Sequence, residues 1–597
     1  TTWAEALRAA GGEVRWAGLV DAGDERLDLA DVEILLPGAE PDRGRISIPR
    51  ISLAGLAAHP LGGFAVRSLT LPRLALATRS PGGAVTTTLT DVALADAVIP
   101  RPARAAFDPE RPLASALGHD PLRDDLACAR ATVAAVAIAT TGNGKTGRGE
   151  ITLRDGALAG LSGSRVERAT LAALAITAPP SNGKGAGRFT ADGLEVEGWN
   201  PGAWATAFDD RAYVDGRGDG VWRPFLAAAR TGRLRLEAEE GAISIERSTW
   251  ATRSVRQFPE PLGAMVERML REPDRIAAAD LLRLGLEIFL ATRHDGWSLE
   301  GLALTGNGVD RARIDRLASG PFAPEGLAEL TVEGVDFAAP KALFRLGRFV
   351  LGDLRLPAAE DLRRAVPAAL AGAEIDPSSL APTVGRIGLE GLEVAEQDVP
   401  ALRLGALRLD LERYLRAVPT AATLAVDHLV VPAGLADATT RATLAGLGYD
   451  RLDLSLAARL DWREARRELV LDGARLTVAD LGEATAQARL AGVPRSLFLR
   501  PDTLPQALAT ITLTEATVTL TNASFVDRLV RLLARDARIK PERLRRRLAD
   551  QAADATSALR DPARRKAFAA AVRGFLLRPT PITLSARPSS PIALPEL

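Results

Sequence analysis

Leu452-Asp453-Leu454-Ser455-Leu456 sets leucines two residues apart, a spacing that an extended strand places on one face and a helix scatters around its axis. Arg475-Leu476-Thr477-Val478 resumes this period after what reads as a turn at Asp472-Gly473. Ile511-Thr512-Leu513-Thr514 and Thr517-Val518-Thr519-Leu520 repeat it with β-branched residues between the teeth, which suit a pleated surface. The same reading predicts short strands at 14–19, 27–36, 45–53, 65–77, 84–94, 131–139, 150–153, 188–196, 233–237, 242–245, 327–335, 384–394 and 401–411. A chain so patterned must bury one face of many amphipathic strands, as packed sandwiches or as a long trough with an apolar inner wall.

Strand tokens recur as a short extended run, then Asp-Gly or Glu-Gly, then an apolar residue that restarts the alternation. Leu153-Arg154-Asp155-Gly156-Ala157-Leu158, Thr190-Ala191-Asp192-Gly193-Leu194 and Leu330-Thr331-Val332-Glu333-Gly334-Val335 are examples. Their separations are irregular, so the unit is degenerate and has no fixed period. Between Ala131 and Val196 two apolar segments end in Asn143-Gly144-Lys145 and Asn182-Gly183-Lys184, hairpin signals that predict consecutive antiparallel strands.

Helices are the minority and cluster. Phe525, Leu529, Leu532 and Leu533 keep helical spacing, Pro541 and Pro562 suit first turns, Asp561 suits a cap, and Phe568, Val572, Phe575 and Leu576 form another stripe. A second block runs from Pro261 through Met265, Met269, Leu282, Leu286 and Phe289. Extended segments follow the blocks at 297–304 and 581–586, and shorter helices are expected near 343–349, 358–371 and 435–447. The bodies expected are a β-rich 1–240, a helical block with a β segment at 241–420, and an antiparallel sheet with terminal helices at 421–597.

With 597 residues, the chain is too long for one ordinary core. Its 75 basic and 75 acidic groups cancel, which argues against a nucleic-acid partner needing a basic excess. Only five of the basic residues are Lys; the Arg bias fits GC-rich coding and indicates no site. Aromatics at 4% leave few stacking platforms for bases or sugars. One Cys and four scattered His leave no internal disulfide and little for a zinc enzyme, and no cofactor is expected. No apolar run approaches the roughly 20 residues of a membrane helix. The chain opens at Thr1, and the expectation is a signal peptide or an inner-membrane anchor upstream of residue 1, a trimmed cytosolic chain being the alternative.

The local motifs read as structure. Gly144-Lys145-Thr146 looks like the end of a phosphate-binding loop, but a strand follows where a helix should present its amides, so a hairpin turn is expected. The stretch from Gly118 to Cys128, with His119, Asp120, Asp124 and Asp125, holds metal-ligating residue types without a metal-site spacing, and reads as a polar loop. His294-Asp295 and Asp427-His428 are neighbours on opposite strand faces and make no dyad. Arg543, Arg545, Arg546 and Arg547 with Arg564, Arg565 and Lys566 form a basic patch, read as a solvated helix face ahead of a contact with anionic lipid. Trp199 and Trp204 flank Asn200-Pro201-Gly202, read as a turn packed by indoles. No catalytic, metal or cofactor-binding residue is assigned, no enzyme is expected, and the ligand-binding residues are unknown.

The repeated strands around Leu153–Leu158 and Leu389-Glu390-Gly391-Leu392-Glu393-Val394 resemble bacterial envelope proteins typified by AsmA and TamB. The ending, Phe575-Leu576-Leu577-Arg578-Pro579 then Ile582-Thr583-Leu584 and Arg587-Pro588, is similar to uncharacterised exported proteins of that style. The resemblance implies a periplasmic β-rich protein associated with lipid movement or outer-membrane upkeep. The expected fold class is therefore mainly β with helical blocks (α+β), as antiparallel, repetitive curled sheets or an elongated β-groove, with two related halves as a variant. The expected function is non-enzymatic binding or transfer of phospholipid or another apolar ligand, and the alternative is an assembly factor binding another envelope protein. A hydrolase ranks third.

Overall fold

The computed structural model describes residues 8, 11–23, 25–36, 44–60, 63–80, 83–100, 113, 126–142, 148–178, 187–306, 308–370, 372–374, 376, 378, 380–397, 399–500, 503–554, 561–588 and 592–593. The chain divides into two units, Thr1–Gly308 with Arg313–Leu327 and Ala358–Ile375, and Val309–Ala312 with Ala328–Pro357 and Asp376–Leu597. Each is an antiparallel sheet carrying helices, the mainly β architecture that the alternation predicts.

In the first unit Gly63–Ser80, Gly83–Pro100, Ala127–Gly142, Arg148–Ser162, Arg165–Ala178 and Gly187–Trp199 each pair with the next. Register sets the aliphatic teeth opposite one another: Leu53, Leu69, Leu94, Ala131, Leu158 and Ala169 stand in one row. The row continues through Val196 and Ala229 to Trp250 and Trp297, whose rings lie 5.8 Å apart. Such cross-strand pairs contribute roughly 0.2–1 kcal/mol each, so the pattern stabilises by repetition and needs no single deep core.

The strands are longer than expected because the Asp-Gly tokens do not reverse the chain. Asp91, Asp96, Asp155, Gly160, Gly193 and Gly198 hold φ between +47° and +62° within continuous strands. Pairing passes over these positions and keeps its register, with Ala135 opposite Arg154 and Val133 opposite Gly156. A left-handed residue resets the side-chain alternation, so apolar positions step by two along a strand and by three across each kink, as in Phe189, Ala191, Leu194, Val196 and Trp199. The three-residue step stays on one face: Ala97 with Leu94, and Cys128 with Ala131, pack in a single cluster with Val66 and Leu161. Glycine serves best where space is also short, since a Cβ on Gly160 would lie 2.6 Å from the Cβ of Glu167.

The second unit follows the same rule. Ala342–Arg355, Thr383–Glu396, Val399–Leu415, Val418–Pro432, Arg451–Arg463, Glu468–Val478, Gly482–Ala491 and Thr512–Asn522 pair in turn, and Ile582–Ala586 adds to the last. Phe349, Leu389, Leu407, Val426, Leu456 and Leu476 form its apolar row. Asp472-Gly473, expected as a turn, lies inside Glu468–Val478 with Gly473 at φ +62°, and the ladder shifts register there. The helix expected at 343–349 is likewise a strand, in which Leu343, Phe344, Arg345, Arg348 and Phe349 pair with Thr383–Glu396.

Helices close off parts of each unit. In the first, Gly202–Phe208, Gly263–Arg271 and Ala278–Leu290 pack Ala203, Ala207, Leu262 and Ile288 around Val255 and Phe258, both fully buried. The Tyr213 hydroxyl donates to Ala207 O at 2.5 Å and accepts from Phe258 N at 3.2 Å, and burial pushes its pKa up to about 12. In the second, Trp462 packs against Phe498 with tilted rings and centroids 4.3 Å apart, and donates Nε1–H to Val493 O at 3.3 Å. Helix Ala438–Leu447 starts on Asp437, which accepts from the amides of Thr439 and Thr440, and ends at Gly448 with φ +79°. Phe525–Asp536, Pro541–Asp554 and Pro562–Leu577 follow, the last capped by Asp561 as predicted. Among the described residues no helix is long and apolar enough to cross a membrane.

Candidate functional site

The apolar rows are incompletely covered. In the first unit Leu236, Ile243 and Leu304 oppose one another directly and remain 48%, 42% and 43% exposed. In the second unit Leu460, Leu476 and Leu520 also stand exposed in paired strands. Half-covering an aliphatic side chain forgoes about 1 kcal/mol of the burial free energy it could yield. These rows are therefore surfaces on which an apolar ligand would gain stabilisation in proportion to the area it covers.

The first unit also holds a cleft of about 590 Å³ beside helices Ala278–Leu290 and Ala359–Leu370. Leu262, Leu286, Val366 and Leu370 line it, with Glu287 and Arg363 at its charged side. Arg363 Nε and Nη2 donate to the two carboxylate oxygens of Glu287 at 2.7 and 3.0 Å, a bidentate pair with Glu287 nearly buried. The charges satisfy each other, and the cleft offers apolar walls with a neutralised polar edge. Nothing local in the sequence marks this pair, whose members lie 76 positions apart.

The residues singled out in the sequence do not converge. Asn143-Gly144-Lys145, Thr146, Asn182-Gly183-Lys184 and the stretch 118–125 lie outside the described residues, although the strands flanking each Asn-Gly pair antiparallel as expected. Cys128 is buried in the sheet, with its thiol 3.0 Å from Arg130 O. His294 stacks on Phe322 with centroids 5.4 Å apart, and burial followed by the charge of Arg253 holds its pKa below the usual imidazole value. His428 meets Asp453 on the adjacent strand at 3.2 Å and not its neighbour Asp427. Trp204 packs against Phe208 and Phe225, while Trp199 stays 47% exposed. In the basic patch Arg545 pairs with Asp527 and donates to Leu576 O at 3.2 Å, and Arg564 lies 3.5 Å from Asp561. Arg543, Arg546 and Arg547 line a shallow open depression with Glu542 and Asp550. Among the described residues no group of three or more His, Cys, Asp or Glu could hold a metal ion.

A family model described as "Uncharacterized protein" matches residues 475–597, which contain the end of the second sheet and the terminal helices. No curated protein matches the chain.

Proposed function

We propose that this is a non-enzymatic periplasmic envelope protein that binds or transfers a phospholipid or another apolar ligand along the aliphatic faces of its sheets. The observation that carries the reading is the directly opposed, exposed row Leu236, Ile243 and Leu304. A face this apolar is favoured in contact with acyl chains and disfavoured in water. The envelope compartment rests on the likeness of the strand pattern to AsmA- and TamB-type proteins.

Native mass spectrometry after gentle purification tests the proposal. The expected result is a protein carrying phospholipid-sized adducts, whose occupancy falls severalfold in a Leu236→Asp/Ile243→Asp variant. A stoichiometric protein partner on a lipid-free chain would favour the assembly-factor reading. Adducts that persist at full occupancy in the variant would remove this row from the site.

A further inference from the structure

Arg253–Val255 pairs antiparallel with Thr292–His294, and Arg223–Leu226 pairs with the other side of Arg253–Val255. These three segments bring Trp222, Arg256 and Arg293 together. The guanidinium carbons of Arg256 and Arg293 each lie 4.8 Å from the centroid of the Trp222 ring system. Arg256 is anchored by its backbone N–H on Ala291 O and by Nη2 on Leu290 O, both at 3.0 Å. The Arg293 side chain is exposed and has no hydrogen-bond or carboxylate partner among the described residues.

Elsewhere in the molecule arginines are commonly matched by acids, as Arg403 is by Glu393 at 3.0 Å and Arg386 by Asp410 at 3.1 Å. Here two cations share one indole without an ion pair among the described residues, and Asp219, three residues before Trp222, is already engaged by Arg223. A third cation, Arg253, sits 4.2 Å from the Trp250 ring, and its buried Nε has no hydrogen-bond partner. The indole attracts each guanidinium through its π face; that contact uses no N–H group, so Arg293 keeps its donors and Arg256 those that Leu290 O does not take. Two such forks suit a tetrahedral oxyanion, whose charge relieves the repulsion between them.

We propose that Arg256 and Arg293, assembled on Trp222, form a binding site for a phosphate group, borne by an amphiphile or free in solution. The site does not depend on the apolar rows. Isothermal titration of the full chain at low salt would use inorganic phosphate and, separately, dihexanoyl phosphatidic acid below its micelle concentration. The expected result is saturable one-to-one binding of at least one probe, weakened at least tenfold by Arg293→Gln and by Arg256→Gln. The Arg293 side chain is exposed and has no hydrogen-bond partner among the described residues, so its variant is expected to keep the fold, which circular dichroism checks. Tighter binding of the short-chain lipid by tenfold or more identifies a headgroup, and equal affinities identify free phosphate. Unchanged phosphate affinity in Ile243→Asp is expected and separates this site from the apolar row. No saturable binding of either probe, or binding indifferent to Arg293→Gln, overturns the proposal.

Discussion

The two units share an apolar ladder and differ in emphasis on the polar positions between its teeth, although the first also has cross-strand ion pairs such as Arg50 with Asp28 and Arg247 with Glu300. In the first, the row opposite the teeth runs Thr70, Ala93, Thr132, Ala157 and Thr170, and farther along Thr249 and Ser298 share a hydrogen bond at 2.7 Å. In the second, the polar positions form a lattice of arginines and carboxylates: Glu393 meets Arg345 and Arg403, Asp410 meets Arg386 and Arg408, and Glu515 meets Arg489 and Arg587. The ladder is constrained because it sets the register, and the polar face is free to vary because either chemistry leaves the pleat intact. Much of the arginine excess that carries no meaning in composition therefore has a place, in cross-strand pairs that also help to keep the net charge at zero.

The sharpest way to break the comparison is to attack what the units share. Leu158→Asp in the first and Leu456→Asp in the second each place a carboxylate in an aliphatic row and should destabilise their own unit by about 2–4 kcal/mol. Hydrogen exchange resolved by segment reads the two separately, and sharply unequal losses would show that the ladders are not equivalent.

The kinks come next. Gly160→Ala combines a left-handed backbone with a Cβ contact at 2.6 Å and should cost about 2–3 kcal/mol, whereas Gly391→Ala meets only ordinary contact at 3.5 Å and should cost about 1–2 kcal/mol. Equal effects in chemical denaturation would mean that close approach is irrelevant at these positions. Arg363→Met leaves the nearly buried Glu287 unpaired and should lower the stability of the first unit by about 2 kcal/mol, with much of the loss recovered in Glu287→Leu/Arg363→Met.

The smallest effect separates the polar faces. Burial alone would raise the pKa values of Asp410 and Asp461, but the hydrogen bonds from Arg408 and Arg386, and from Arg413 and Arg463, outweigh it and hold both below the ordinary carboxylate value. A carboxylate lowered in this way contributes stability above its unfolded pKa of about 4, and the contribution is lost as pH falls through the folded value. Each partly exposed pair is worth roughly 0.2–1 kcal/mol, so the second unit should lose protection below about pH 4 while the threonine-faced strands of the first lose less. Acid titration followed by hydrogen exchange checks the difference, which molar salt should narrow.

Strand content was legible because alternation is local: Leu452 to Leu456 needs no partner to declare its period. Some left-handed kinks were visible as Asp-Gly tokens, as at Asp155 and Gly193, but the one at Asp472-Gly473 read as a turn, since positive φ serves a turn and an in-strand kink equally. The stretch 343–349 reads as a short helix but belongs to strand Ala342–Arg355, because pairing with Thr383–Glu396 overrides the local preference of so short a segment. At the candidate sites the sequence was silent: Glu287 and Arg363, or Trp222, Arg256 and Arg293, carry no spacing that announces their meeting.

By itself the sequence determined the strand class, the antiparallel order of neighbours, the capped helices and the apolar teeth, because each follows from the conformational preferences of residues a few positions apart. Only the tertiary structure decided where strands end, which teeth align and which charges find partners. Register is a property of pairs of strands, and burial depends on segments that the chain brings together from far along its length.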